Sequence, residues 1–212
     1  MRKFLGTALL LLLGAGTSGV AQAADMFSPL PVAGWDGFYA GGNIGYGSAI
    51  VDHVGSTIGD LTATGVLIGG QLGYNFSTGN NLVVGIQGDA DFGNVTGSYT
   101  AGPTITQTLN WEASVTGHLG YDAGVVTPYV LAGVTAAGTT RTSNIGGGLS
   151  QSAYLGGFTV GAGAAFRVAE NASLFLEGRY NNLGSFTYTS LPSTPVVNTT
   201  SVEIRGGANF HF

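Results

Sequence analysis

From Gly37 to the end of the chain, apolar residues recur at every second position. The apolar face of that repeat carries no Asp, Glu, Lys or Arg wherever the two faces can be told apart. A period of two belongs to β-strands, whose successive side chains point to opposite faces; a helix repeats at about 3.6. Near Gly37–Ser48, Phe38, Ala40, Gly42, Ile44 and Tyr46 oppose Tyr39, Gly41, Asn43 and Gly45. Near Val66–Phe76, Val66, Ile68, Gly70, Leu72, Tyr74 and Phe76 oppose Leu67, Gly69, Gln71, Gly73 and Asn75. A third strand sets Leu82, Val84, Ile86, Ala90 and Phe92 against Val83, Gln87, Asp89 and Asp91. A fourth sets Leu109, Trp111, Ala113, Val115, Leu119 and Tyr121 against Asn110, Glu112, Ser114, Thr116 and His118. The fifth, about Pro128–Ala137, is apolar on both faces; turning Thr135 inward sends Val130, Ala132 and Val134 outward. The sixth sets Tyr154, Phe158, Val160, Ala162, Ala164 and Phe166 against Thr159, Gly161, Gly163 and Arg167. The seventh sets Ala172, Leu174, Leu176 and Tyr180 against Ser173, Phe175, Glu177, Arg179 and Asn181. The last sets Val202, Ile204, Ala208, Phe210 and Phe212 against Ser201, Glu203, Arg205, Asn209 and His211.

Alternation alone also fits a soluble barrel with an apolar interior. Three features decide against it. The charged residues Asp89, Asp91, Glu112, Arg167, Glu177, Arg179, Glu203 and Arg205 all lie on the face opposite the apolar one. That face is otherwise mostly Gly, Ser, Thr and Asn. With 8% charged residues in the chain, it is too poor in charge for a soluble exterior and small enough to fill a narrow barrel. Aromatics gather toward the strand ends: Phe38, Tyr74, Phe76, Tyr121, Phe166, Phe210 and Phe212 at one end, and Tyr46, Phe92, Trp111, Tyr154 and Tyr180 at the other. Such girdles mark the two membrane interfaces. The expected fold is all-β, an eight-stranded antiparallel up-and-down transmembrane β-barrel. Short connections (Ser77–Asn81, Asp122–Thr127, Val168–Asn171) alternate with long ones rich in Gly, Ser, Thr and Asn (Ala49–Gly65, Asn94–Thr108, Gly138–Ala153, Gly184–Thr200). Outer-membrane barrels have short periplasmic turns and long extracellular loops, which puts both termini on the periplasmic side.

The N-terminus fits that destination. Arg2 and Lys3 are followed by an apolar run, Phe4 to Leu13, and by Ala21-Gln22-Ala23, the layout of a cleavable signal peptide. The run is too short for the ~20 apolar residues of a membrane helix. The expected division is a signal peptide over 1–23, with Ala21 and Ala23 at the cleavage site, a periplasmic segment over 24–36, and the barrel over 37–212. The 38 glycines show no G-X-Y period and alternate with apolar residues, so neither collagen nor a disordered linker fits. The absence of cysteine excludes disulfides and thiolate metal sites. A net charge of −5 and the lack of a basic footprint argue against nucleic acid.

The stretch Trp35-Asp36-Gly37-Phe38-Tyr39-Ala40-Gly41-Gly42 resembles the first strand of the small porin-like outer-membrane proteins of alphaproteobacteria. The strand around Glu177-Gly178-Arg179-Tyr180 and the terminal Phe212 resemble the same family, whose transmembrane part is similar to that of OmpA. The resemblance covers the chain beyond the signal peptide. It implies an abundant envelope protein in contact with outer-membrane lipids. It further implies that Phe212, with Phe210 on the same face, is read by the barrel-assembly machinery. Some members are described as porin-like and others as hemin-binding, so the resemblance implies no single activity.

No catalytic constellation emerges. Glu112, Ser114 and His118 share a strand face, but Glu112 and His118 lie about 20 Å apart at ~3.4 Å per residue, far beyond the ~3 Å contacts of a triad. Asp52 and His53 are adjacent in a long connection, and two adjacent ligands make no metal site. No metal or cofactor is expected. His118 and His211 are expected to line the periplasmic half of the lumen in a structural or pH-responsive polar role rather than as ligands. Asp89, Asp91 and Glu112 are expected in its outer half, where they either favour cations or are simply hydrated. Arg167 joins these lumen residues. The inward glycines Gly45, Gly69, Gly73, Gly161 and Gly163 are expected to leave room for a thread of water. Antiparallel pairing keeps the sum of partner numbers constant. One register, with sum 382, therefore places Glu177 opposite Arg205 and Arg179 opposite Glu203. Those four residues are expected to form a charge cluster that braces the wall near mid-barrel. The expected role is a structural barrel with a plugged polar interior and four extracellular loops. A narrow gated pore, or a loop-borne receptor or adhesin that takes a small ligand such as hemin or a host surface, stands as the alternative.

Overall fold

The computed structural model describes residues 35–53, 61–100, 104–144, 148–187 and 196–212. The signal-peptide residues, with Ala21 and Ala23, and residues 24–34 lie outside them. Eight strands follow in sequence order: β1 (Gly37–His53), β2 (Leu61–Ser77), β3 (Leu82–Thr100), β4 (Thr104–Tyr121), β5 (Val126–Ser143), β6 (Leu149–Ala169), β7 (Ala172–Thr187) and β8 (Val196–His211). Each pairs antiparallel with its neighbours, and β8 returns to β1 to close the barrel. Closure satisfies every ladder and leaves no edge, the condition for a sheet to stand in lipid. Three tight turns join β2 to β3, β4 to β5 and β6 to β7. The first puts Gly79 and Asn81 at positive φ. In the second, Asp122 Oδ1 accepts from the Gly124 amide at 2.9 Å, and Gly124 takes φ 92°.

Following the register once around from Phe38, through Tyr74, Ile86, Gly117, Ala132, Val160, Tyr180 and Val202, returns to β1 at Ser48. The stagger of ten residues over eight strands implies a tilt of about 40° and a lumen narrow enough for side chains to fill. The facing follows the alternation. Phe38, Ile44, Ile68, Leu72, Phe92, Tyr154 and Ile204 are exposed on the outer wall, while Asn43, Gln71, Asp89, Glu177, Arg179 and Arg205 are buried within. On β5, Val130 and Val134 point out and Thr135 points in.

Two features depart from the sequence reading. The strands are 16–21 residues long, and they take up most of what the sequence presents as long loops. A 17-residue strand such as β2 rises about 43 Å along the axis at this tilt, well beyond an apolar band of ~25 Å. The polar segments still alternate and pair: Thr96 meets Thr108 at 3.1 Å and Ser98 meets Thr106 at 3.0 Å, hydroxyl to hydroxyl. The hairpins therefore continue as sheet past the membrane. The second departure is a bulge. The β3–β4 register shifts between Phe92 and Val95, and the β4–β5 register shifts between Leu109 and Trp111. Asn110 has no partner in the β5 ladder, so the facing of β4 flips there. Leu109, expected outside with Trp111, is buried in the lumen. Asn110, expected inside, turns out and donates Nδ2 to Thr140 Oγ1 at 2.9 Å.

Candidate functional site: the lumen

The lumen is built in tiers, read here from the end with the tight turns (the turn end) to the end with the long hairpins (the hairpin end). At the turn end Trp35, just before β1, is tucked into the mouth and only 3% exposed. The Arg167 guanidinium lies 4.4 Å from the Trp35 ring, and the ring meets His211 edge-on at 5.6 Å. His211 Nε2 is bonded to Ser173 Oγ at 2.9 Å. Asp36 accepts a hydrogen bond from the Ser77 amide, tying this entry segment to the end of β2. The sequence assigned Trp35 to a periplasmic segment. A single Trp among Gly and Pro has no period to reveal that it turns inward.

Above Trp35 lies a cavity of about 50 Å³, room for a few waters at ~10–15 Å³ each. Tyr39, Tyr129, His118 and Phe175 line it. Tyr39 donates to Gln87 and Tyr129 to Glu177, both at 2.8 Å, and His118 Nε2 donates to Asn75 Oδ1 at 2.8 Å. The inward glycines do not open a water thread. A methyl at Gly69 would strike Asp91, one at Gly73 would strike Tyr39, and one at Gly85 would strike His118. Their space is occupied by polar side chains of the neighbouring strands.

The next tier joins opposite walls. The β7–β8 register has the sum 382, with Glu177 facing Arg205 and Arg179 facing Glu203. Glu177 Oε1 accepts from Arg205 Nε at 2.8 Å and from Arg179 Nε at 2.5 Å. Arg179 does not pair with Glu203, contrary to the expectation from register. Its Nη2 reaches Asp89 Oδ1 at 2.9 Å, and its Nη1 donates to Ser114 Oγ at 2.9 Å. Arg205 also reaches across, to Asp91 at 2.9 Å and to Asp89 at 3.1 Å. In a ring of eight strands β7 lies opposite β3, so the Arg179–Asp89 contact spans the diameter. Cross-strand pairing sees only adjacent walls, and a guanidinium is long enough to cross this lumen. Asp89 and Asp91, expected as a separate acidic group farther out, belong to this network. Ser114, which donates to Asp89 Oδ2 at 3.0 Å and accepts from Arg179 Nη1, is one of its hydrogen-bonding members.

Toward the hairpin end, Glu203 accepts from Asn181 Nδ2 at 3.1 Å, and Glu112 accepts from Thr135 at 3.2 Å. An apolar tier follows, which the sequence reading did not foresee: Ala49, Ala63, Leu67, Val95, Leu109, Ala137, Leu155 and Leu183 pack together inside the barrel. Beyond it, buried Arg141 donates to Gln107 at 3.4 Å. Asp52 and His53 end β1, and their side chains lie outside the described residues. Among the described residues no group of three His, Asp or Glu side chains is arranged to hold a metal ion. Phe210 and Phe212 face outward at the turn end, with ring centroids 5.2 Å apart.

The outer-membrane protein beta-barrel domain profile matches residues 7–210. The chain is 29% identical to the 25 kDa outer-membrane immunogenic protein of Brucella abortus over 92% of each chain. It is 27% identical to the 31 kDa outer-membrane immunogenic protein of Brucella melitensis, over 90% of this chain and 89% of the other. It is 31% identical to the 22 kDa outer membrane protein of Rhizobium leguminosarum, over 74% and 69%. Among solved structures, the fold is similar to Neisserial surface protein A (TM-score 0.52, 18% identity, 82% of this chain and 97% of that one). It is also similar to OprG of Pseudomonas aeruginosa (TM-score 0.53, 13% identity, 85% and 99%). A closed eight-stranded barrel with an apolar outer wall, matched over nearly its whole length by this profile and by alphaproteobacterial relatives, belongs to the family of small outer-membrane β-barrel proteins and resides in the outer membrane of a Gram-negative bacterium.

Proposed function

We propose that the protein is a structural barrel of the envelope: a stable wall whose lumen is closed to free passage, with its turn end in the periplasm and its four long hairpins outside. The observation that carries this reading is the Arg179–Asp89 contact at 2.9 Å, with both side chains 1% exposed, between strands on opposite sides of the ring. An ion passing through would have to separate Arg179 and Arg205 from three carboxylates in a poorly hydrated space, where unpairing buried charge costs about 3–5 kcal/mol. It would then meet the apolar tier around Leu67, Leu109 and Leu183, which carries no charge to replace its water. The short turns support the orientation, since periplasmic connections in outer-membrane barrels are short. No catalytic role is read here, because Ser114 is held by Asp89 and Arg179 and His118 by Asn75.

The test is conductance of the refolded protein in planar bilayers. The expected result is no steady current above the bilayer leak. Arg179→Ala, which severs the crossing contact, is expected to raise it. A stable open level in the unaltered protein would overturn the closed-barrel reading in favour of a pore.

A further inference from the structure

On the outer wall, where the apolar band gives way to the polar hairpin extensions, two aromatic rings lie on the sheet surface. Trp111 on β4, Gly138 on β5 and Tyr154 on β6 stand directly opposite one another in register. A methyl at Gly138 would collide with the Trp111 indole, so the glycine lets the indole lie down across β5. There it meets Tyr154, with ring centroids 6.3 Å apart and planes at 44°. Tyr154 is 77% exposed.

The next outward row toward the hairpin end is Thr108, Thr140 and Ser152, again in register, with the Thr140 and Ser152 hydroxyls 3.5 Å apart. Asn110, turned outward by the bulge, joins them through its bond to Thr140. Bulges re-aim side chains and cluster at functional sites. Here one carries an amide into a row of hydroxyls at the rim of an aromatic platform. Hydroxyls and amides both donate and accept, so this row offers paired donors and acceptors without charge.

Charge narrows the partner further. Among the described residues, no Asp, Glu, Lys or Arg points outward from this half of the barrel, and Arg141, the nearest cation, is inside and 1% exposed. A phosphate would find no counter-ion here. We propose that Trp111, Tyr154, Thr108, Thr140, Ser152 and Asn110 form a docking site for the neutral saccharide headgroup of a glycolipid in the leaflet around the hairpin end. The rings would take the apolar faces of the sugar and the hydroxyl row its edges. The lipid source follows from position. Directly below the platform Ala113, Ala136 and Gly156 form a smooth row in register, with Val115, Val134 and Phe158 exposed in the row beneath, an apolar wall for the acyl chains of a lipid whose head rests above.

The full-length protein is refolded into phosphatidylcholine vesicles containing digalactosyl diacylglycerol and phosphatidylglycerol in equal amounts. Lipids retained on detergent extraction are then counted by native mass spectrometry. The expected result is a several-fold preference for the galactolipid, falling to parity in Thr140→Val and in Gly138→Val, which lifts the indole. Each variant is scored only on its fast-migrating folded band, and Thr140→Val carries the test should Gly138→Val fail to fold. Emission of Trp111 in a Trp35→Phe background supplies a second readout, and it should shift with the galactolipid and not with phosphatidylglycerol. Equal retention by the unaltered protein, a preference for phosphatidylglycerol, or a galactolipid preference untouched by Thr140→Val would overturn the proposal.

Discussion

Replacing Arg205 by methionine keeps an unbranched apolar stem and removes the guanidinium. That group holds Glu177 at 2.8 Å, Asp91 at 2.9 Å and Asp89 at 3.1 Å, and is 2% exposed. Without it, Glu177 and Asp89 are left to Arg179, and Asp91 loses its ion pair. Removing one partner of a buried ion pair costs about 3–5 kcal/mol. Water from the cavity on the turn side can reach Glu177 and soften the loss, so about 3 kcal/mol is expected. Glu203→Gln is the informative comparison. Its backbone faces Arg179, yet its side chain accepts from Asn181 Nδ2 at 3.1 Å, and it takes part in none of the ion pairs among the described residues. Its expected cost is under ~1 kcal/mol, the scale of one neutral hydrogen bond. The assay is equilibrium urea unfolding of the refolded barrel in vesicles, followed by tryptophan emission. With m of ~1–3 kcal/mol/M, Arg205→Met should lower the midpoint by roughly 1–3 M and Glu203→Gln by a fraction of that. Equal losses in the two variants would refute the cross-lumen network and restore the pair of adjacent-strand bridges.

Three further outcomes are expected. The chain has no cysteine, so single cysteines report facing cleanly: Asn110→Cys should react with a water-soluble maleimide and Leu109→Cys should not, and the reverse would remove the bulge. Deleting Phe212 should reduce the folded, fast-migrating form in cells while costing little stability in vitro, because its ring is 77% exposed at the turn-end interface; an undiminished band would count against its role in assembly. In a Trp111→Phe background, emission from Trp35 should resist quenching by both acrylamide and brominated lipid. Free quenching by acrylamide would place Trp35 outside the mouth.

The alternation carried the facing of most of the wall because a charge exposed to lipid is costly. Asp89, Glu177 and Arg205 had one side to occupy. It failed at Leu109 for a local reason: one unpaired residue, Asn110, inverts the parity beyond it, and no residue type announces the slip. The β7–β8 register could be read from the spacing of Glu177, Arg179, Glu203 and Arg205, since paired charges favour one sum. Which carboxylate each arginine takes could not. That depends on the ten-residue stagger accumulated around eight interfaces, which brings Asp89 level with Arg179. The Thr- and Ser-rich stretches looked like loops because turn composition and a hydrated strand share residue types. The inward glycines looked like empty space because the side chains that occupy it come from other strands.

All the basic residues beyond Lys3, namely Arg141, Arg167, Arg179 and Arg205, are strand residues facing the lumen. A protease that needs an exposed lysine or arginine therefore finds no bond to cut in the folded barrel, while the same 37–212 segment unfolded offers four. Trypsin thus reads out closure of the wall directly. Survival of the full 37–212 segment reports that every arginine has been turned inward, and the appearance of a fragment ending at Arg141, near the hairpin end of β5, would mark where the sheet first opens.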